Sequence, residues 1–206
     1  MTLIQKHVSR ACGAVSAVLP VLAALLLSGT VCRAQNVSVS TNVVMLADFG
    51  TPNLEMGFSV GPKASLHVGG RYNNWTFRPD DPLLNRKRTV WAGVRWWSWN
   101  VNSGFFIQGK FQYQEYNRNV LMKGLKEQGD AFGVGLGAGY AVMLSRHFNI
   151  EFGAHFWAGM TKYGTYDAAI GGYYVDSGTK FFALPDDLCL SFVYIFGPSR
   201  PSPKAK

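Results

Sequence analysis

Between positions 130 and 144, Phe132, Val134, Leu136, Ala138, Tyr140 and Val142 occupy every second place, and Gly133, Gly135, Gly137 and Gly139 lie between them. Side chains alternate across an extended strand, so the pattern predicts one bulky apolar face and one nearly bare face with room for large neighbours. Over 148–160 the period repeats: Phe148, Ile150, Phe152, Ala154, Phe156, Ala158 and Met160 alternate with Asn149, Glu151, Gly153, His155, Trp157 and Gly159. Both runs exceed the usual soluble strand of about five or six residues and reach the roughly 9–11 that a tilted strand needs to cross a bilayer. A narrow membrane barrel suits the pattern, because lipid meets its outside while its lumen is crowded and partly polar.

The alternation recurs along the rest of the chain. A first strand is predicted over 37–48, with Val39, Thr41, Val43 and Met45 on one side. A second sets Leu54, Met56, Phe58 and Val60 against Glu55 and Gly57, and a third sets Ala64, Leu66, Val68 and Tyr72 against Ser65, His67, Gly69 and Arg71. The fourth, over 88–99, carries Val90, Ala92, Val94 and Trp96 opposite Trp91, Arg95 and Trp97. The fifth sets Phe105, Ile107, Phe111 and Tyr113 against Gln108, Lys110 and Gln112, and an eighth covers 188–196. Gly61-Pro62-Lys63, 100–103 and Ser145-Arg146-His147 read as short reversals, whereas 74–87, 116–129 and 163–187 read as long loops. Long loops on one rim and tight turns on the other, with an even strand number, are the outer-membrane arrangement. Trp75, Trp96, Trp99, Tyr72, Tyr113, Tyr140 and Tyr194 fall near strand ends, where interfacial girdles sit.

Lys6 and Arg10, the apolar stretch 11–27 and Cys32-Arg33-Ala34 before Gln35 read as a secretory signal peptide cleaved near Ala34. The expected organisation is a signal at 1–34, the barrel at 35–196 and a disordered tail at 197–206. Its fold class is all-β: an eight-stranded antiparallel up-and-down transmembrane β-barrel preceded by a cleavable signal peptide, located in the bacterial outer membrane. Losing the leader removes Lys6, Arg10, Arg33, Cys12 and Cys32, so the formal charge falls from +8 to +5 and Cys189 is left as the single cysteine. One cysteine forms no internal disulfide, and the sheet must hold the fold. The basic charges are scattered rather than striped, which argues against nucleic acid; outer-membrane lipid and surface polysaccharide suit them better.

The segments Thr41-Asn42 through Thr51-Pro52-Asn53-Leu54-Glu55, and Asn149-Ile150-Glu151-Phe152-Gly153 with Tyr163 and Tyr166 after it, carry a resemblance. They resemble an uncharacterised domain-of-unknown-function family of small outer-membrane barrels from Bacteroides-type bacteria, over about 41–196. The resemblance implies an outer-membrane barrel, sometimes alongside surface-appendage genes, and brings no catalytic residues.

The expected inward faces collect Glu55, His67, Arg71, Arg95, Lys110, Glu115, Glu151 and His155. Charges in so narrow a lumen must pair, which reads as a polar plug; a gated ion path would need a wet route that inward Trp91, Trp97 and Trp157 oppose. A lipid hydrolase or acyltransferase would need a serine, a histidine and an acid. Glu151 and His155 share a face but stand about 13 Å apart along a strand, Ser191 is their nearest serine, and His67 beside Ser65 has no better claim. No catalytic residue, metal site or cofactor is therefore expected: the surviving histidines are scattered and no cysteine pair remains. Working contacts are expected on the loops, at Arg78, Arg86, Lys87, Tyr173, Tyr174, Phe181 and Phe182, whose aromatics either meet a protein or polysaccharide partner or fold back over the mouth. The expected role is non-enzymatic surface anchoring, adhesion or service to a surface assembly. Its rivals are the lipid-modifying enzyme and a secreted lipocalin-like binder.

Overall fold

The eight strands of the wall pair in sequence order, as the short reversals require. The computed structural model describes residues 37–48, 50–74, 76–77, 83–120, 125–167 and 173–197. The expected signal, Trp75, Arg78, the Ile170-Gly171-Gly172 run and the tail beyond Gly197 lie outside them. The elements are β1 (Val37–Asn42), α1 (Val43–Ala47), β2 (Asn53–Ser59), β3 (Ala64–Asn73), β4 (Thr76–Phe77), β5 (Leu83–Trp97), β6 (Gly104–Val120), β7 (Leu125–Met143), β8 (Phe148–Asp167) and β9 (Tyr173–Phe196). All pairings are antiparallel; β1 joins β9 (Val37 opposite Phe196) and β3 joins β5 (Ala64 opposite Trp96), closing an eight-stranded up-and-down ring. The two-residue β4 pairs only with the top of β5 among the described residues.

The wall is apolar outside and polar inside. Phe111, Leu136, Phe156 and Leu188 stand at 60–74% exposure, whereas Arg95, Glu151, Gln108 and Ser65 are at 3% or less. Among the described residues the buried polar and charged side chains outnumber the buried apolar ones. The bare face of β7 lets large groups in: a Cβ at Gly137 would land on the His155 ring, and one at Gly139 would meet the Phe106 ring.

Three expectations are corrected. First, β1 stops at Asn42 instead of running to position 48. The Asn42 side chain accepts the Val44 N–H (3.0 Å) and caps α1, which turns inward and buries Met45. Asn42 also donates to the Leu188 carbonyl (3.0 Å), so the turn is anchored on β9. Second, most of the expected long loops are strand. β6, β7, β8 and β9 run for 17, 19, 20 and 24 residues and rise as two tall hairpins, so Tyr173, Tyr174, Phe181 and Phe182 sit on β9, while Arg86 and Lys87 sit on the 15-residue β5. The backbone groups of these stretches are satisfied by cross-strand pairing. Third, Glu115 faces outward. It shares the parity of Phe111 and Tyr113, and its carboxylate accepts the Tyr113 hydroxyl (3.4 Å).

One irregularity matters for the lumen. His155 pairs with Asp187 but Phe156 pairs with Pro185, leaving Asp186 as an extra residue in a β-bulge. A bulge sets two successive residues on one side of the sheet, so Asp186 and Asp187 both enter the lumen while exposed Pro185 and Leu188 flank them. Proline is tolerated there because the ladder is already interrupted.

Candidate functional site

The lumen holds two adjacent layers of polar groups. In the layer nearer the short turns, Arg95 donates to Glu151 (2.8 Å), Glu55 (2.9 Å) and Gln108 (2.9 Å). Its guanidinium also lies over the Phe106 ring, 4.3 Å from the centroid. Glu55 takes in addition the Trp91 indole N–H (2.7 Å) and meets His67 Nδ1 (2.9 Å). His155 bridges Asp187 (2.8 Å) and Gln108 (3.1 Å). The second layer centres on Asp186, which accepts from Arg71 (2.7 Å), Lys110 (2.6 Å) and Gln112 (3.1 Å). Desolvating isolated ions would cost several kcal/mol each, and multiple partners per charge are what offset it.

Within this network Ser65, His67 and Glu55 form a hydrogen-bonded chain. Ser65 Oγ lies 2.9 Å from His67 Nε2, and His67 Nδ1 lies 2.9 Å from Glu55 Oε1. That is the order of a nucleophile, base and acid. The Trp97 indole N–H already donates to Ser65 Oγ (2.8 Å), and Ser65 and His67 are 1% and 3% exposed. The adjoining lumen cavity of about 30 Å³ is lined by Glu55, Arg95, Gln108 and Glu151 and includes neither Ser65 nor His67. Such a volume holds roughly one or two waters. Among the described residues no group of three His, Cys, Asp or Glu side chains is arranged to hold a metal ion.

At the tall rim a second cavity, about 420 Å³ and open, lies between β3, β5, β6 and β7. Asn73, Asn74, Arg86, Lys87, Tyr116, Asn117 and Gln128 are among its lining residues. Lys87 is ion-paired with Asp48. Above it, Glu127 accepts from Arg118 (2.9 Å) and Lys180 (3.1 Å). Burial by itself would raise the Glu127 carboxyl, but the hydrogen bonds from Lys180 and Arg118 outweigh it and hold the group below the ordinary carboxylate range.

The family described as "Protein of unknown function (DUF3575)" matches residues 20–196. The chain belongs to this family. No curated protein sequence matches it. In this DUF3575 member, seven of the eight side chains assigned to the lumen from sequence are brought into its two adjacent layers: Glu55, His67, Arg95, Glu151 and His155 in one, and Arg71 and Lys110, through Asp186, in the other. Glu115 is the exception.

Sequence reasoning missed Asp186 and Asp187, which it left at the end of a loop. A signal existed in the sequence: Pro185 interrupts any ladder just before Asp186-Asp187, which marks a place where a bulge could turn two successive acids inward. Of the aromatic contact candidates, Phe182 packs edge-on against Trp157 (4.4 Å) and Tyr174 against Tyr166 (5.6 Å). Tyr173 and Phe181 instead remain 72% exposed.

Proposed function

We propose that this DUF3575 member is a non-enzymatic outer-membrane barrel, exported by a cleaved signal peptide, whose plugged lumen serves as a rigid anchor and whose tall rim serves surface adhesion or a surface assembly. The observation that carries the reading is the inverted wall. More than two dozen large apolar side chains are exposed around it. At roughly 1.5–3 kcal/mol for burying each, their exposure to water would outweigh a domain's net stability of about 5–15 kcal/mol several-fold. Lipid removes that cost. The band has an edge: Arg88, Glu115, Asp130 and Lys162 are cross-strand neighbours in one exposed row, next to Tyr72 and Tyr113. Trp96, Trp99, Phe105, Tyr140 and Tyr194 lie towards the short turns, so aromatics flank the apolar stretch on both sides.

The Ser65–His67–Glu55 chain gives the enzyme reading one specific observation in its favour. Its burial and the absence of an adjoining substrate cavity oppose it, so we assign the chain to the plug. Ser65→Ala is expected to leave the membrane lipid profile unchanged; an altered acyl pattern would reverse that assignment. A lipocalin-like role is opposed by volume, since small-molecule sites occupy about 300–1,000 Å³ and the lumen cavity about 30 Å³. The test of the main reading is gel mobility in SDS of protein from outer membranes, with and without boiling. A heat-dependent shift with outer-membrane enrichment is expected; a soluble protein with no shift would sink the proposal.

A further inference from the structure

Above the closed ring the wall continues as an open sheet, and β9 is its bare edge. β1 accompanies β9 only from Phe196 to Ser191, and Asn42 reaches on to Leu190 (3.3 Å) and Leu188 (3.0 Å) before α1 turns inward. Beyond that point β9 pairs with β8 alone among the described residues. Exposure agrees with an edge. Every residue of 173–185 except Gly178 and Phe182 is exposed, on both faces of the strand, whereas 163–167 of the neighbouring β8 is half-buried throughout.

The direction of the unpaired backbone groups follows from Pro185. Proline has no N–H, and a ladder accommodates it where that N–H would point away from the partner strand. Residues 176–185 pair with 156–165 without a register shift, so Ala183, Phe181, Thr179 and Ser177 share the orientation of Pro185 and aim their N–H and C=O groups away from β8. The Ser177 N–H is taken by the Asp176 carboxylate (2.8 Å), as befits a group outside the ladder. The N–H groups of Thr179, Phe181 and Ala183 have no backbone acceptor among the described residues. Sheet edges are normally blunted by charge, proline or a bulge. Here the extra residues Val175 and Asp186 close the two ends, and Lys180, the one charge within 177–184, turns inward to Glu127 (3.1 Å). What lies between is roughly 25 Å of regular strand built on the β-formers Thr179, Phe181 and Phe182.

N–H and C=O groups repeating at every second residue are matched by another extended backbone. The chain's own β1 does not supply it: continued in its register, β1 would meet Pro185 at Asp48, and 43–47 forms α1 instead. A second copy does not supply it either. Two barrels in one membrane run their β9 strands in the same direction, and antiparallel two-fold pairing of the two edges would need one barrel inverted. Lipid leaves the groups unsatisfied, because hydrocarbon carries no hydrogen-bonding group. Thr179 lies in register with Lys162, in the exposed row that edges the apolar band, so the bare edge is reached from the tall rim.

We infer that 177–184 of β9 is a docking edge for an extended segment of a different protein, which adds as a strand in the column that β1 leaves at Asn42. Side chains of the added strand alternate, and those beside the outward Phe181, 72% exposed, are apolar. The inference deepens the surface-assembly reading above and rests on it for the side of the membrane from which the partner arrives.

The test uses the full chain in detergent micelles, checked for the heat shift, with amide exchange read by NMR. In the free barrel the Lys180 and Phe182 amides, bonded to β8, are expected to exchange slowly and those of Thr179, Phe181 and Ala183 fast. The probes are a short synthetic peptide of alternating valine and threonine and the same peptide N-methylated at every amide. The first is expected to slow the three open-side amides roughly tenfold or more, and the second to leave them unchanged. Thr179→Pro and Phe181→Pro each remove one open-side donor without touching the β8 ladder, and each is expected to abolish the peptide's effect on the remaining two amides. The methylated peptide needs no variant and decides the matter if neither variant keeps the heat shift. Slow exchange of the three amides in the free barrel, protection that grows with protein concentration alone, equal protection by both peptides, or none by either would overturn the docking edge. A barrel that shifts on heating but takes no peptide refutes only this inference. A protein without the shift refutes the membrane reading, and the exchange pattern still decides the edge.

Discussion

At the scale of single residues, the lumen makes unequal demands on chemically similar side chains. Asp186 is the one carboxylate hydrogen-bonded to Arg71 and Lys110 among the described residues, while Asp187 meets His155, which also contacts Gln108. Asp186→Leu strands two cations and is expected to cost about 3–5 kcal/mol. Asp187→Leu is expected to cost less, because it removes one partner of one side chain and His155 keeps Gln108. Denaturant unfolding of both variants in micelles, with wild type, measures the order; equal costs would contradict the pairing. Glycines differ in the same way. A Cβ at Gly133 would meet the Ala158 backbone carbonyl, which cannot swing aside, whereas one at Gly109 would find only Leu136 Cδ2 at 3.9 Å. Gly133→Ala is expected to lower the temperature of the gel shift, and Gly109→Ala to leave it unchanged. The stripe's role as clearance was legible in the sequence; which glycines are pressed by backbone was not, because that depends on the neighbouring strand.

At the scale of elements, the tall hairpins are held by cross-strand pairing and by a few charges. Glu127 on β7 ties Arg118 of β6 to Lys180 of β9. Its carboxyl is held below the ordinary range, so the stabilisation is fully present above about pH 4.3 and is lost as pH falls through the lower folded value. Amide exchange in 115–120 and 125–130 is expected to lose protection as pH falls below about 4.3, after correction for intrinsic rates. Glu127→Gln is expected to flatten that dependence, and an unchanged dependence in the variant would assign it to other carboxylates. Strand identity at 125–129 and 173–187 was not legible, since Lys126-Glu127-Gln128-Gly129 and Asp176-Ser177-Gly178-Thr179 carry turn formers and no apolar alternation. Those stretches are strands because each is paired to a neighbour whose own alternation continues the sheet.

For the whole molecule, closure of an eight-stranded ring leaves an interior just wide enough for side chains to fill. The residual cavity of about 30 Å³ is lined by Met45 of α1 and by Arg95 and its partners. Planar-bilayer recording is therefore expected to give no steady conductance for the native barrel, and a stable open channel would contradict the plugged lumen. The period-2 alternation by itself determined the central part of each of the eight strands, nearly all of their inward and outward faces and the inverted sense of the wall, because side-chain direction in a strand is local. It also determined seven of the lumen's polar residues by parity alone. Only the tertiary structure decided that Asp186 and Asp187 both turn inward, that β1 ends at Asn42, and that Ser65, His67 and Glu55 meet. Each of these depends on register between strands distant in sequence. A single bulge changes that register without leaving a periodic mark on the chain.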